Sequence, residues 1–138
     1  MVARDVYHKA VTEALIKDQW RITNDPLFLQ VGGVDMYVDL GAEKLVAAEK
    51  DQQRIAVEIK SFLGPSLVHD FHLALGQFLN YRLALAEQDP NRRLYLAVPV
   101  ETYSTFFTIP FIQQATQQYQ LAIIVYDSVL QEVVQWIN

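Results

Sequence analysis

The run Arg54–Lys60 constrains the fold more than any other part of the sequence. Every second residue in it is β-branched and apolar, namely Ile55, Val57 and Ile59. Successive side chains of a β-strand point to opposite faces, so these three form one packed face, while Glu58 and Lys60 share the other face. Burying a carboxylate and an ammonium beside a core is costly unless they are paired or used. The run therefore predicts a strand that carries a chemical site, and the alternative is a surface ion pair on an exposed sheet face.

The other elements follow from the helical and strand periodicities of the apolar residues. Helices are predicted at Ala3–Asp18, Leu67–Gln88 with Ser66 as N-cap, and Thr102–Tyr119 with a break before Pro110. Strands are predicted at Leu27–Val31, Met36–Leu40, Leu45–Glu49, Arg54–Lys60, Leu94–Val98, Leu121–Tyr126 and, at an edge, Glu132–Ile137. Gly32 and Gly33 indicate a hairpin turn between the first two strands. The order α, β meander, α, β, α, β predicts a single α/β domain over residues 1–138.

Composition and charge narrow the function classes. No apolar run approaches the length needed to span a bilayer, and the N-terminus lacks the pattern of a secretory signal, so we expect a cytoplasmic protein. The absence of cysteine excludes disulfides and thiolate metal sites. The net charge of −5 argues against a protein that coats nucleic acid. All 11 Lys and Arg residues lie at or before Arg93, so any polyanion is expected to meet the N-terminal two thirds.

Asp39 precedes Glu58 by a separation that one hairpin can close in space. Two carboxylates and a backbone carbonyl are sufficient protein ligands for Mg²⁺ or Mn²⁺, which retain several waters. Lys60 would then orient a water or offset developing negative charge. Glu43 competes as a ligand because the hairpin register is not fixed by the sequence, and it ranks below Asp39.

Asp39 followed by Glu58-Ile-Lys60 resembles the bipartite signature of the PD-(D/E)xK nucleases, with Val38 in place of the signature proline. Gln77 and Tyr81 share one face of a predicted helix and resemble the Q-x-x-x-Y element of the RecB-like branch. The resemblance implies a restriction-endonuclease-like three-layer fold, with a central mixed β-sheet flanked by helices. It also implies metal-dependent DNA cleavage, in which Gln77 and Tyr81 contact DNA or support the metal ligands.

Other polar side chains on the predicted helices have simpler interpretations. Glu13 is placed similarly to an acidic residue that some PD-(D/E)xK members add to the metal site, and the alternative is a solvent-facing side chain. His69 and His72 have a spacing that can bind zinc, but no cysteine or HExxH pattern accompanies them, so they are interpreted as surface residues. His8 has no evident partner and is also assigned to the surface.

A broader resemblance covers nearly the whole chain. The chain resembles the XisH family, the cyanobacterial fdxN element excision controlling factors, in the segments Ile22–Pro26, Val38–Glu43, Ile55–Phe62, Ala74–Gln77 and Leu94–Pro99. This resemblance implies a role in or near programmed DNA rearrangement in differentiating cells such as heterocysts, alongside a companion excision factor or a recombinase.

Two functions remain open from the sequence, beside a purely structural dimer in which Glu58 and Lys60 form a buried pair. The first is a Mg²⁺-dependent DNA endonuclease or DNA-processing accessory. The second is a catalytically silent regulator that keeps the nuclease fold and binds a partner protein or the recombinase. An aromatic cluster with helical spacing belongs either to the core or to a homo-oligomer interface, and its members are Tyr103, Phe106, Phe107 and Phe111.

Overall fold

The computed structural model describes residues 3–45 and 52–138 of the chain. Its helices are α1 (Ala3–Lys17), α2 (Leu67–Gln88), α3 (Val100–Thr105) and α4 (Pro110–Gln118). Its strands are β1 (Arg21–Asn24), β2 (Leu27–Val31), β3 (Val34–Val38), β4 (Leu40–Leu45), β5 (Gln52–Ile59), β6 (Arg92–Pro99), β7 (Ile123–Asp127) and β8 (Glu132–Ile137). Within these ranges, no helix is both long enough and apolar enough to cross a membrane.

A six-stranded mixed sheet forms the centre, in the order β1-β4-β5-β6-β7-β8. Strands β5, β6 and β7 run parallel, and the remaining neighbours are antiparallel. Because right-handed crossovers that advance in one direction lie on the same face of a sheet, α2 and the α3–α4 pair cover one face. Helix α1 covers the other face. The predicted three-layer fold with a central mixed sheet is confirmed.

Alternation along the central strands divides the core into two layers. One layer packs beneath α2 and α4 and includes Ala56, Leu94, Leu96, Val98, Phe71, Phe78 and Ile112. The other packs against α1 and includes Val11, Leu15, Ile55, Val57, Tyr95, Ala97 and Tyr126. Strands β5 and β6 are therefore apolar on both faces along most of their length, as is typical of parallel strands covered by helices.

The predicted helix from Leu67 to Gln88 is confirmed at both ends. Ser66 adopts the extended conformation of an N-cap, and its Oγ accepts a hydrogen bond from the His69 N–H at 3.2 Å. The cap satisfies one of the amides left without an intrahelical partner at the start of the helix.

The β2–β3 hairpin forms its own two-stranded sheet, so the predicted continuous meander is wrong at this point. Gly32 and Gly33 have φ values of +57° and +84°, as the predicted turn requires. The buried face of the hairpin joins the core under α2. Gln88, at the end of α2, accepts a hydrogen bond from the Gln30 N–H at 2.8 Å and donates one to the Phe28 carbonyl at 3.1 Å. The hairpin thus buries its apolar side against a helix instead of extending the central sheet.

Two strand boundaries also differ from the prediction. The run Met36–Leu40 is split at Asp39, where β3 ends and β4 begins one residue later. The predicted strand Leu45–Glu49 overlaps β4 only at Leu45, and its other residues lie outside the described part of the chain. Strand β1 was not predicted because it is four residues long, polar and interrupted by a bulge.

The cap of α2 gives a first test. Ser66→Ala should lower the free energy of unfolding by about 1 kcal/mol, because the His69 amide loses its acceptor. Ser104→Ala is the matched control, since that hydroxyl only donates back to carbonyls of its own short helix. Urea denaturation of both variants measures the difference, and equal effects would contradict the capping role.

Candidate functional site

Asp39 and Glu58 meet at the carboxyl end of β5. Leu40 lies opposite Val57 in the β4–β5 ladder, so the residue before β4 adjoins Glu58. The Asp39 N–H donates to Glu58 Oε1 at 3.3 Å, and Asp39 Oδ2 accepts from the Ile59 N–H at 2.8 Å. Their carboxyl groups are also within hydrogen-bonding reach of each other. The structure therefore brings together the two carboxyl groups that the sequence analysis paired.

Glu58 is buried, with 5% of its surface exposed. Burial, with a smaller contribution from the negative charge of Asp39, raises its pKa from 4.5 to about 7. The positive charge of Lys60 lowers the Glu58 pKa in part. Its Nζ lies 3.5 Å from Glu58 Oε2, and its side chain is 27% exposed. An increase of this size favours the protonated form by roughly 3 kcal/mol. The positive charge of Lys60 therefore does not offset the burial of Glu58 next to Asp39.

Helix α2 carries two polar side chains one turn apart, Gln77 and Tyr81, and neither is among the residues that line the cavity at Asp39 and Glu58. Burial, together with the charges of Glu58 and Asp39, raises the pKa of Tyr81 to about 12, so the phenol is close enough to interact with both carboxyl groups. The Oε1 atom of Gln77 is buried and accepts no hydrogen bond from the described residues. A buried acceptor of this kind is rare in native proteins and commonly marks a missing water, ion or ligand.

The carboxyl pair opens into a cleft of about 400 Å³. Its walls come from α1, β3 and the end of β5, and they include Tyr7, His8, Tyr37, Asp39, Glu58, Ile59, Lys60 and Ser61. The carboxyl ends of parallel strands are the usual location of ligand sites in open α/β sheets. The Glu58–Lys60 pair therefore faces a cavity at the end of the sheet, in contrast to the exposed surface pair considered as the alternative.

Helix α1 reaches the cleft through residues that the sequence analysis did not select. His8 had been assigned to the surface without a partner, yet it lines the cleft and its Nε2 lies 2.9 Å from Asp25 Oδ1. Glu13 does not line the cleft, because five residues of helix rotate it by about 140° from His8. The partner of His8, Asp25, lies in the segment Asn-Asp-Pro, outside α1. Nothing local in the sequence connects the two residues.

Glu43, the competing ligand, lies elsewhere on β4. Its Oε2 is 3.1 Å from the Arg21 guanidinium, and it is opposite Arg54 in the ladder. Four residues of strand separate it from Asp39, which corresponds to roughly 13 Å. Asp39 is therefore the carboxylate that the fold places beside Glu58. His69 and His72 are both exposed on α2, as predicted.

The sequence matches the protein-family model described as XisH protein over residues 1–134. The chain belongs to the XisH family. It is 47% identical to an XisH family protein from Nostoc punctiforme PCC 73102, with a TM-score of 0.90, 97% of this chain and all of that chain being covered. It is 48% identical to an fdxN element excision controlling factor protein from Anabaena variabilis, with a TM-score of 0.89 and coverage of 98% and 100%. No curated protein matches it. The family resemblance predicted from the sequence is confirmed.

The residues at the XisH cleft fit a hard divalent cation. The described residues contain no group of three or more His, Cys, Asp or Glu side chains arranged to hold a metal ion. Mg²⁺ needs only one or two carboxylates and keeps its waters, and Asp39 with Glu58 supplies that donor set. The charge of a divalent cation would also stabilise the ionised form of Glu58, which burial disfavours.

The titration of Glu58 predicts how stability of this XisH protein depends on pH. Its folded-state pKa of about 7 lies above its ordinary value of 4.5, so between these values the folded protein binds more protons than the unfolded chain. The free energy of unfolding should therefore decrease as pH rises through this window. Glu58→Gln removes the titration and should gain about 3 kcal/mol relative to wild type between pH 4.5 and about pH 8.

Urea denaturation across this pH range, without divalent metal, measures the effect. Glu43→Gln is the control, since it removes a carboxylate from the more exposed pair with Arg21 and should keep the wild-type decrease. Parallel stability curves for wild type and Glu58→Gln would contradict the raised pKa.

Proposed function

We propose that this XisH protein is a metal-dependent DNA endonuclease or DNA-processing accessory of the PD-(D/E)xK type, with Asp39, Glu58 and Lys60 as its site. The observation that carries the proposal is the buried Glu58 carboxyl group beside the half-buried Asp39, both at a cleft with Lys60 beside them. A buried carboxyl group such as Glu58, with a raised pKa and a basic neighbour, is typical of active sites.

Each residue has a separate role in this proposal. Asp39 and Glu58 hold Mg²⁺ or Mn²⁺, which when bound polarises a phosphoryl oxygen and lowers the pKa of water. Lys60, on the same strand face as Glu58, orients a water or offsets negative charge at the phosphate. Tyr81 remains protonated at neutral pH because its pKa is near 12, so it donates a hydrogen bond toward the carboxylates or the DNA. Gln77 contributes its unpaired carbonyl oxygen as an acceptor.

The biological setting comes from the relatives. The similar protein from Anabaena variabilis is an fdxN element excision controlling factor. We extend to this chain a role in or near excision of such an element during programmed DNA rearrangement. A companion excision factor or a recombinase would act with it in such an excision.

A second candidate is a catalytically silent regulator that uses the same fold to bind a partner protein or the recombinase. The charge of the chain favours it, since 16 Asp and Glu residues outnumber 11 Lys and Arg residues. Among the described residues that line the cleft, Lys60 is the one lysine or arginine. The two candidates differ in whether Asp39 and Glu58 take up metal and support cleavage.

Cleavage assays separate the candidates. Wild type should cut at least one of branched, single-stranded or duplex DNA in Mg²⁺ or Mn²⁺, and Glu58→Ala and Lys60→Ala should each lower the rate about 100-fold or more. Glu43→Ala is the matched carboxylate control and should retain activity. Cleavage unchanged by Lys60→Ala would overturn its catalytic role, and no cleavage by folded wild type would favour the regulator.

Metal uptake is testable without any activity. Mg²⁺ should raise the Tm of wild type, because it binds the folded carboxyl pair and not the unfolded chain. The increase should be larger at pH 8 than at pH 5.5, since metal must displace the proton shared near Glu58. Differential scanning fluorimetry with Asp39→Asn as the variant and Glu43→Gln as the control measures this. Equal responses of these two variants to Mg²⁺ would exclude the carboxyl pair as the metal site.

A further inference from the structure

The end of the central sheet opposite the carboxyl pair carries much of the positive charge of this acidic protein. Two clefts, of about 680 and 470 Å³, lie there and share Arg93 and Asn138 in their walls. The lysine and arginine residues that line them are Lys44, Arg54, Arg82, Arg92 and Arg93. Five of the 11 cationic residues are thus gathered at the amino ends of β5 and β6 and the elements beside them.

Few described acidic side chains balance these cations. In the walls of the two clefts the acidic residue is Asp18, and its Oδ2 already accepts a hydrogen bond from Trp136 Nε1 at 3.2 Å. Behind the walls, Asp89 pairs with both Arg54 and Arg92, so one carboxylate serves two guanidinium groups. The surface around the two clefts therefore keeps an excess of positive charge.

Three of the cations are held in place by contacts that leave charge facing outward. Lys44 Nζ lies 5.5 Å from the ring centre of Trp20, and Arg93 Cζ lies 5.6 Å from that of Tyr95. Arg82 lies over Phe78 at 5.4 Å and donates through one nitrogen to the Tyr119 and Gln120 carbonyls. Stacking on aromatic rings fixes a cation without neutralising it, which lowers the entropy lost when it meets an anion.

We propose that this basic end, defined by Lys44, Arg54, Arg82 and Arg93, binds the phosphate backbone of nucleic acid as an anchoring surface separate from the cleavage site. The inference rests on the proposed function in that both sites act on the same DNA. Four of the five cations are arginines, whose planar guanidinium groups suit phosphate oxygens. Side-chain amides on the rims, such as those of Gln53 and Asn91, add neutral donors for phosphate and sugar.

The position of this surface separates anchoring from chemistry. Arg54 and Lys60 are six residues apart on one strand, which places the two ends roughly 20 Å apart. A DNA strand advances about 3.4 Å per nucleotide, so a contact spanning both ends covers on the order of six nucleotides. Among the described residues that line the cleavage cleft there is a single lysine. The anchoring surface thus supplies additional positive charge for contact with DNA.

The tryptophan side chains provide an intrinsic fluorescence signal for this surface. It has two tryptophans, and both Trp20 and Trp136 line the cleft with Lys44 and Arg93, with ring centres 5.6 Å apart. The cleft at Asp39 and Glu58 is lined by tyrosines and contains no tryptophan in the described chain. Tryptophan fluorescence therefore reports on the basic end and not on the cleavage site.

The experiment measures binding of a short fluorescein-labelled DNA duplex in EDTA, by anisotropy and by tryptophan fluorescence, over a range of salt concentration. Wild type should bind with a negative slope of log K against log salt and with a change in tryptophan emission. In the double variant Lys44→Gln/Arg93→Gln the slope should be shallower by about 0.9 for each cation removed. Lys9→Gln, an exposed lysine on α1 outside all three clefts, is the matched charge control and should behave as wild type.

The outcomes distinguish this proposal from the nuclease proposal. Glu58→Gln should keep the EDTA binding and the tryptophan response even if cleavage is lost, and the double variant should need more DNA to reach an unchanged maximal cleavage rate. Binding by the double variant equal to that of wild type, with both variants folded by circular dichroism, would overturn the anchoring surface. A tryptophan response to polyglutamate with none to DNA would also overturn it, in favour of an acidic protein partner.

Discussion

The parallel pairing of β5 with β6 is the contact on which the other elements depend. Its ladder runs from Arg54 opposite Arg92 to Ile59 opposite Ala97, and the Lys60 N–H continues it by donating to the Ala97 carbonyl at 3.1 Å. Parallel strands need a long crossover, which α2 supplies, and the crossover helix covers one face of the pair. Helix α1 covers the other face, so both strands are apolar except at their ends. Charged residues are consequently confined to the two ends of the pair, where both proposed sites lie.

At the carboxyl end of the strand pair, an unfavourable electrostatic arrangement destabilises the fold. Burial next to Asp39 keeps Glu58 partly protonated near neutral pH, and Lys60 compensates only in part. Main-chain hydrogen bonds from both strands hold the two carboxyl groups together in spite of their repulsion. Local violations of good packing and charge balance are expected where function opposes stability. A divalent cation at the two carboxyl groups would remove this cost, which is the physical basis of the proposed metal dependence.

At the amino end of the strand pair, the charges brought together are positive. Arginine and lysine side chains converge on a region where one carboxylate, Asp89, serves two of them. Aromatic rings hold several of the cations without neutralising them. A protein with a net charge of −5 thereby presents a basic region, and its overall negative charge disfavours unspecific contact with DNA. In the two proposals taken together, chemistry and anchoring are assigned to opposite ends of a single strand pair.

Much of this arrangement was predictable from the sequence. The alternation in Arg54–Lys60 determined which residues face each layer, and Ser66 with the apolar periodicity after it determined both ends of α2. These features are local, because a strand or a capped helix carries its own period and its own stop signals. The family resemblance followed from short segments in the same way.

Other features were decided only by the tertiary structure. The choice of Asp39 over Glu43 depended on a hairpin register in which Leu40 meets Val57, and a register is set by long-range packing. The contribution of His8 in place of Glu13 depended on how α1 lies across the sheet end. The basic end joins residues from β4, β5, β6 and α2, which no linear pattern connects. The sequence by itself determined the elements and the residue types available for chemistry, whereas the fold alone decided which of them meet, because proximity between distant residues is a property of packing.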